Sequence, residues 1–254
     1  MDAHKKISEI KEELQSAKTE HLPSFIRLYR EDPRTGVRQL VQKAEKILEK
    51  LEKEKARTKA LKVYEKQYAD RQFICGIDEA GRGPLAGPVV AGAVILPKDC
   101  DILYINDSKQ LSPKKREELF EVIMEKALAV GIGMASPQRI DEINILQATY
   151  EAMREAIQKL GVIPDILLND AVRIPGVDTE QVPIIGGDAK SISIASASIV
   201  AKVTRDRLMM EYDKIMPEYR FCSNKGYGSK EHIEALKTYG SSPIHRKSFI
   251  GHFV

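Results

Sequence analysis

The spacing of apolar residues changes character once along the chain. Up to about residue 70 they recur every three or four positions; beyond it, short continuous apolar runs alternate with helical stretches. Ile7, Ile10, Leu14 and Ala17 predict a helix within residues 4–20, followed by a turn around His21-Leu22-Pro23. Asp32-Pro33 reads as the next helix start, with Asp as N-cap and Pro at the first helical position. Val37, Leu40, Val41, Ala44, Ile47, Leu48 and Leu51 then form a stripe. The stripe weakens across residues 52–60 and resumes at Leu61, Tyr64 and Tyr68, which predicts one long helix or two with a solvated middle. A domain boundary is placed near residue 70, giving a helical extension over 1–70 and a second domain over 71–254.

In the second part FICGI (73–77), PVVAGAVIL (88–96), VGIGMA (130–135), DILLN (165–169) and VPIIG (182–186) read as buried strands. Helices are expected from Ser112-Pro113, over 139–160 as one or two pieces, over 192–215 and over roughly 229–239. Strands alternating with helices predict an α/β layered fold.

Composition narrows the class. With 254 residues, 43% hydrophobic and 30% charged, the chain has the make-up of an ordinary globular protein. No apolar run reaches the roughly 18 residues that span a bilayer. The opening MDAHKKISEIKEEL has no apolar signal-peptide core, which predicts a cytoplasmic protein without membrane partners. Cys75, Cys100 and Cys222 are an odd set without CxxC spacing, which speaks against a disulfide framework or a structural zinc site; Cys75 is expected to be a packed thiol. The net charge of +3 is uneven, with a basic excess in residues 1–70 and a nearly neutral remainder. Lys43, Lys46, Lys50, Lys53, Lys55, Arg57, Lys59, Lys62 and Lys66 supply that excess. They read as a solvated helix face, a duplex-binding surface or a docking face for a protein.

Acids carry the chemistry. Asp78 and Glu79 end the first predicted strand, Asp170 ends DILLND, and Asp188 follows VPIIGGD. If the three strands are neighbours, four carboxylates meet at one edge of the sheet, where ligand sites of α/β sheets favour strand ends. Two anions about 4 Å apart repel by roughly 4 kcal/mol at an effective dielectric near 20, so such a set calls for a cation. Hard oxygen ligands without His or Cys suit Mg²⁺ or Mn²⁺, and a pair of such ions suits phosphodiester hydrolysis. Taken singly, Asp170 and Asp188 read as turn or strand-end residues, and the Asp78-Glu79 pair with its glycine turn reads equally well either way.

GIDEAGRGPLAGPVVAGAVILP (76–97), DSKQLSPKKREEL (107–119), IIGGDAKSISIASASIVAKVTRD (184–206), NKGYGSKEH (224–232) and HRKSF (245–249), in this order, resemble the blocks of ribonuclease HII, the type 2 ribonuclease H. The resemblance implies a ribonuclease H-like mixed sheet with helices on both faces, a helical C-terminal part, and an N-terminal helical extension of the kind some bacterial members carry. It implies a monomeric metal-dependent endonuclease that acts on the RNA strand of RNA/DNA hybrids and cuts 5′ to single ribonucleotides embedded in duplex DNA. The products would carry 3′-hydroxyl and 5′-phosphate ends, and the roles implied are ribonucleotide excision and primer removal.

Carried over residue by residue, the catalytic, metal-binding acids are Asp78, Glu79, Asp170 and Asp188, holding two Mn²⁺ or Mg²⁺ ions. Gly81, Arg82 and Gly83 would recognise the ribonucleotide and its junction with DNA, and Tyr227 would stack on the deoxyribose beyond it. Lys109, Lys190 and Ser191 are expected at the substrate, with Ser193 and Lys202 as further phosphate-contact candidates. His232 and His245 are assigned structural or backbone-contact roles. The pattern departs from the family at Asn169, where an aliphatic residue is expected, and at Gly186, where relatives often carry lysine; either change could alter substrate affinity. A ribonuclease HIII-like specificity, which would go with Gly-Lys-Gly in place of Gly81-Arg82-Gly83, and a non-catalytic hybrid-binding protein are the alternatives.

Overall fold

The computed structural model describes residues 5–253, which divide into two compact units with the boundary between Arg57 and Thr58. The first is helical: α1 (Ile7–Ser16), α2 (Leu22–Tyr29) and α3 (Thr35–Ala60). Ile10, Leu14, Leu22, Phe25, Ile26, Tyr29, Val37, Val41 and Ala44 form its core, so the i, i+3, i+4 stripes face one another. Residue 4, at the edge of the predicted first helix, lies outside the described residues. Two local readings change. Pro23 stands in the first turn of α2 rather than in a turn between helices, a position where its missing N–H costs nothing. Asp32 caps no helix: its carboxylate accepts from the backbone and side chain of Arg34, and α3 begins at Thr35. On α3, Lys53, Lys55 and Arg57 are paired with Glu49, Glu52 and Glu54.

The second unit starts with a segment that packs on the sheet. The chain leaves helical geometry at Lys62 and re-enters it in α4 (Val63–Gln67), so the stripe of Leu61, Tyr64 and Tyr68 is not a continuation of α3. The elements that follow are β1 (Ile74–Ala80), β2 (Val89–Ile95), α5 (Pro113–Lys126), β3 (Ala129–Ala135), α6 (Pro137–Gln158), β4 (Ile166–Asp170), β5 (Glu180–Ile184) and α7 (Ile192–Ile215). Three short helices close the chain: α8 (Phe221–Asn224), α9 (Lys230–Tyr239) and α10 (Lys247–Ile250).

The sheet order is β3-β2-β1-β4-β5. The β1–β2 and β2–β3 pairs are antiparallel; β1–β4 and β4–β5 are parallel. One face, with Cys75, Ile77, Ala91 and Ala93, packs on Ala148, Ala152, Met153 and Ala156 of α6. Cys75 is a packed free thiol whose pKa burial pushes up to about 12. The other face packs on α7, and here sequence and geometry are tightly tied. A Cβ at Gly76 would lie 2.1 Å from the Ser193 carbonyl carbon, and one at Gly92 would lie 2.5 Å from the Ala197 carbonyl oxygen. The small-residue run of α7 and the strand glycines thus let helix and sheet touch backbone to backbone. Of the two alternatives left open for 139–160, one helix or two, the structure has two pieces: Asn144 has φ 67° and its Oδ1 accepts from the Leu146 and Gln147 amides, capping the second half of α6.

Candidate active site

Because β1 and β4 are parallel neighbours, both end at the same edge of the sheet; the register pairs Ile77 with Asn169, one residue before Asp78 and Asp170. β5, on the far side of β4, pairs Ile184 with Asp170 and leads into a 3₁₀ turn, Gly187–Ala189, that carries Asp188. Asp170 ties these pieces together, since its Oδ1 accepts from the Gly187 amide at 2.8 Å. The turn is entered through Gly186 at φ 63°, a left-handed conformation that favours glycine over the lysine expected there. Asn169 is fully buried on the opposite face, where it donates to Gln181 at 2.9 Å. Gln181 in turn holds Ile174 and Val177, so this polar pair fixes the loop after Asp170.

Asp78 is 6% exposed, with its Oδ1 accepting from the Glu79 amide at 2.7 Å and Ser198 of α7 supporting it. Burial first, then the charges of Glu79 and Asp170, push the Asp78 carboxyl well above the usual range. Burial also raises Glu79, against the pull of Arg82, whose Nη1 lies 3.4 Å away. Asp188 is raised to about 6 by burial and by Asp107 and Asp170. Asp107 N-caps the Ser108–Gln110 turn by accepting from the Lys109 amide, and Lys109 counters the charge of both Glu79 and Asp188. Ser108 meets Ser198 at 3.0 Å, and Arg116 donates to the Ser108 and Leu111 carbonyls, which anchors this turn beside the acids. Among the described residues no three His, Cys, Asp or Glu side chains are closed into a cage of metal size. What the four acids share is a field: each of the three shifted carboxyls is disfavoured as an anion, and Asp170 contributes to all three.

Next to the acids the chain turns through Gly81-Arg82-Gly83. Gly81 has φ 94°, and a Cβ there would fall 2.1 Å from Nε of Arg205. Arg205 and Arg246 are the site residues that sequence reasoning did not single out, although both stand within the quoted blocks. Both are buried, at 1% and 0% exposure. Arg205 donates to the carbonyls of Ala86, Pro88 and Lys225; Arg246 donates to those of Gly81, Arg82 and Gly87, at 2.5, 2.8 and 2.9 Å. All six acceptors are backbone carbonyls. Burial and the Arg205 charge lower Arg246 to about 9. Their sequence neighbours, Thr204 and Asp206 for Arg205 and His245 and Lys247 for Arg246, are polar and give no sign of burial. Leu85 and Ala86 also donate to Gly226, and Gly87 donates to Ile244, so loop 81–88 is woven to the segment bearing Tyr227. A Cβ on Gly83 would sit 3.9 Å from the Tyr227 ring, which is half exposed. Gly81-Arg82-Gly83 and Tyr227 therefore form one strip.

The two histidines form a directed chain. The Ser242 amide donates to His245 Nδ1 at 2.9 Å, which leaves the proton of the neutral ring on Nε2. His245 Nε2 then donates to His232 Nε2 at 2.9 Å, and His232 Nδ1 donates to the Tyr227 carbonyl at 2.8 Å. Burial lowers both, His245 to about 4 with help from His232. A base whose folded pKa lies below its unfolded value of about 6.5 stabilises the fold fully above 6.5. That stability is lost as pH falls from 6.5 toward 4. His245→Asn is expected to flatten this decline in denaturant titrations between pH 7 and 4.5; an unchanged pH dependence would show that the pair stays neutral for another reason.

The remaining candidates fall differently. Lys190 is exposed and donates to the Ile185 carbonyl. Ser191 is fully buried as the N-cap of α7, accepting from the Ile194 amide and donating to Glu65 at 2.5 Å. Ser193 is buried, with its amide on Glu65. Lys202 pairs with Asp206 at 2.7 Å, and burial lowers its pKa.

A family model described as Ribonuclease HII matches residues 75–252, and one described as Ribonuclease HII N-terminal domain matches 6–69. Ribonuclease HII of Lachnoclostridium phytofermentans is 66% identical over 245 residues, 96% of each chain. Ribonuclease HII of Bacillus subtilis is 52% identical over 248 residues, 96% of this chain and 95% of that one. The crystal structure of ribonuclease H2 from Pyrococcus horikoshii matches with a TM-score of 0.58 at 30% identity, covering 69% of this chain and 93% of its own. A Bst ribonuclease HIII solved with Mn²⁺ shares the fold, with a TM-score of 0.54 at 16% identity. With the catalytic unit matched almost end to end, the chain belongs to the ribonuclease HII family of type 2 ribonuclease H endonucleases.

Proposed function

We propose that this chain hydrolyses the RNA strand of RNA/DNA hybrids and cuts 5′ to single ribonucleotides in duplex DNA, using Asp78, Glu79, Asp170 and Asp188 to hold two divalent cations. The observation that carries this reading is the convergence of four acids from three adjacent strand ends, three of them disfavoured as anions by burial and by one another. An all-oxygen donor set with this surplus of negative charge fits Mg²⁺ or Mn²⁺, and a ribonuclease HIII of the same fold has been solved with Mn²⁺. Held by these acids, such cations would supply a water nucleophile at neutral pH and charge stabilisation for the leaving oxygen.

The residues of the chain do the rest. Arg82 is half exposed and held only loosely by Glu79, so it is free to pair with a phosphate. Its own carbonyl and that of Gly81 are turned onto Arg246, which fixes the turn that meets the ribose. The ribose 2′-hydroxyl is the group that separates RNA from DNA at such a strip. Tyr227 offers a ring face beside it. Lys109 counters the charges of Glu79 and Asp188 and can meet a phosphate. Lys190 reaches the same edge only by releasing Ile185, and Ser191 contributes through the helix start rather than through a free hydroxyl.

End-labelled RNA/DNA hybrid incubated with Mg²⁺, with Mn²⁺ or with chelator tests the chemistry. Cleavage with either metal, none with chelator, and 3′-hydroxyl with 5′-phosphate ends are expected; cleavage that survives chelation would overturn it. Tyr227→Ala is expected to weaken cleavage of a single-ribonucleotide duplex about 10- to 100-fold, since stacking contributes roughly 1–3 kcal/mol. Its melting temperature should be unchanged and Tyr227→Phe should be close to wild type. Full activity of Tyr227→Ala would remove the ring from the substrate strip.

A further inference from the structure

We propose that Glu65, which lies outside the catalytic module matched at 75–252, is a positioning residue that clasps the loop carrying Asp188. The loop runs from Ile185 to Ser191 and has little packing of its own: Ile185 is 80% exposed, and Gly186, Ala189 and Lys190 are exposed as well. One end is held by Asp170 on the Gly187 amide. The other end is held by Glu65. Its Oε1 accepts from the Ser191 hydroxyl at 2.5 Å and from the Ser193 amide at 3.1 Å, while the Ser191 hydroxyl accepts from the Ile194 amide at 3.2 Å. Glu65 and Ser191 thus satisfy two of the first amides of α7 together, and a carboxylate at that helix end is favoured by the helix dipole.

The second carboxylate oxygen points the same way. Oε2 of Glu65 is buried without a partner among the described residues, a costly arrangement that a simple serine cap of α7 would not require. The neighbours of Glu65 repeat the clasp. Lys62 forms an isolated antiparallel bridge with Ser191. Leu61 packs among Ile192, Ala195 and Ile199. Tyr64 and Tyr68 pack with Ile184 and Ile194, the residues flanking the loop on either side. Residues 61–68 therefore grip both ends of the Asp188 loop, and a change at Glu65 alters metal binding without touching a candidate ligand. This inference rests on the reading of Asp188 as a ligand.

Full-length Glu65→Ala, Glu65→Gln, Ser191→Ala and the double variant Glu65→Ala/Ser191→Ala test it, with Lys66→Ala as the neighbouring control. In the metal-free protein, hydrogen exchange of amides 187–194 should accelerate about tenfold in Glu65→Ala, roughly the loss of one charge-assisted hydrogen bond. The Mn²⁺ midpoint, measured by direct binding and by activation, should rise by a similar factor, while kcat at saturating metal stays within about twofold. Glu65→Gln, which keeps one acceptor, should fall between, and the double variant should fall short of the sum of the single effects, because both single variants remove the shared Glu65–Ser191 bond while each also loses an amide contact of its own. Unchanged exchange and an unchanged midpoint in Glu65→Ala would overturn the clasp. So would additive effects in the double variant, or an equal shift in Lys66→Ala. If Glu65→Ala does not fold, Glu65→Gln and Ser191→Ala carry the same comparison. Asp188→Asn with normal Mn²⁺ binding would overturn the ligand reading instead, and the exchange data would still decide the clasp.

Discussion

Asp78→Asn is expected to lower cleavage roughly a thousandfold or more, equivalent to about 4 kcal/mol of transition-state stabilisation, without lowering the stability of the metal-free protein. Asparagine keeps an acceptor for the Glu79 amide and can still meet Ser198. What it removes is a buried anionic group whose charge is opposed by Glu79 and Asp170. The metal-free melting temperature should hold or rise, by about 2–4 °C for each kcal/mol of repulsion relieved in a chain of this size. Steady-state cleavage with Mg²⁺ and thermal melts with chelator are the two measurements. Near-wild-type cleavage would remove Asp78 from the chemistry; a large drop in melting temperature would make it a structural residue whose loss merely unfolds the site.

Arg246→Met is expected to act in the opposite way, costing about 3–5 kcal/mol of stability and taking recognition of the ribonucleotide with it. Arg246 is fully buried, and its guanidinium serves the carbonyls of Gly81, Arg82 and Gly87. Each buried carbonyl left without a donor costs about 1–3 kcal/mol, partly offset by relief of an unpaired buried charge. Lysine cannot fork to three acceptors, so Arg246→Lys should lie between methionine and wild type. Urea unfolding at neutral pH reads the effect. A loss below about 1 kcal/mol would mean that the turn holds its shape without the arginine.

These two residues mark the limits of what the sequence shows. The strand ends were legible: apolar runs predict β1, β2, β3, β4 and β5 within a few residues, and acids at the ends of β1 and β4 and just after β5 stand out because charge is rare next to buried strands. The order that brings those ends together was not in the periodicity; it came with the resemblance of the ordered blocks. Helix starts were legible where a side chain caps locally, as Ser112 does for α5 and Ser229 for α9. They were misplaced at Pro23, which stands in the first turn of α2, and at Asp32, whose carboxylate is taken up by Arg34. Arg205, Arg246 and Glu65 escaped because their partners lie more than 100 residues away or are backbone atoms, for which no spacing in the sequence gives a signal. Ser191 shows the converse, a polar residue in a family block whose hydroxyl is taken up by the fold.

The most direct measurement is the position of cleavage in an end-labelled DNA duplex containing one ribonucleotide, with Mg²⁺ and with chelator, beside an all-DNA duplex. A single metal-dependent cut 5′ to the ribonucleotide, with the all-DNA duplex intact, is the predicted result. An uncut single-ribonucleotide duplex alongside cleavage of a long hybrid would contradict the assignment of ribonucleotide recognition to Gly81-Arg82-Gly83 and Tyr227.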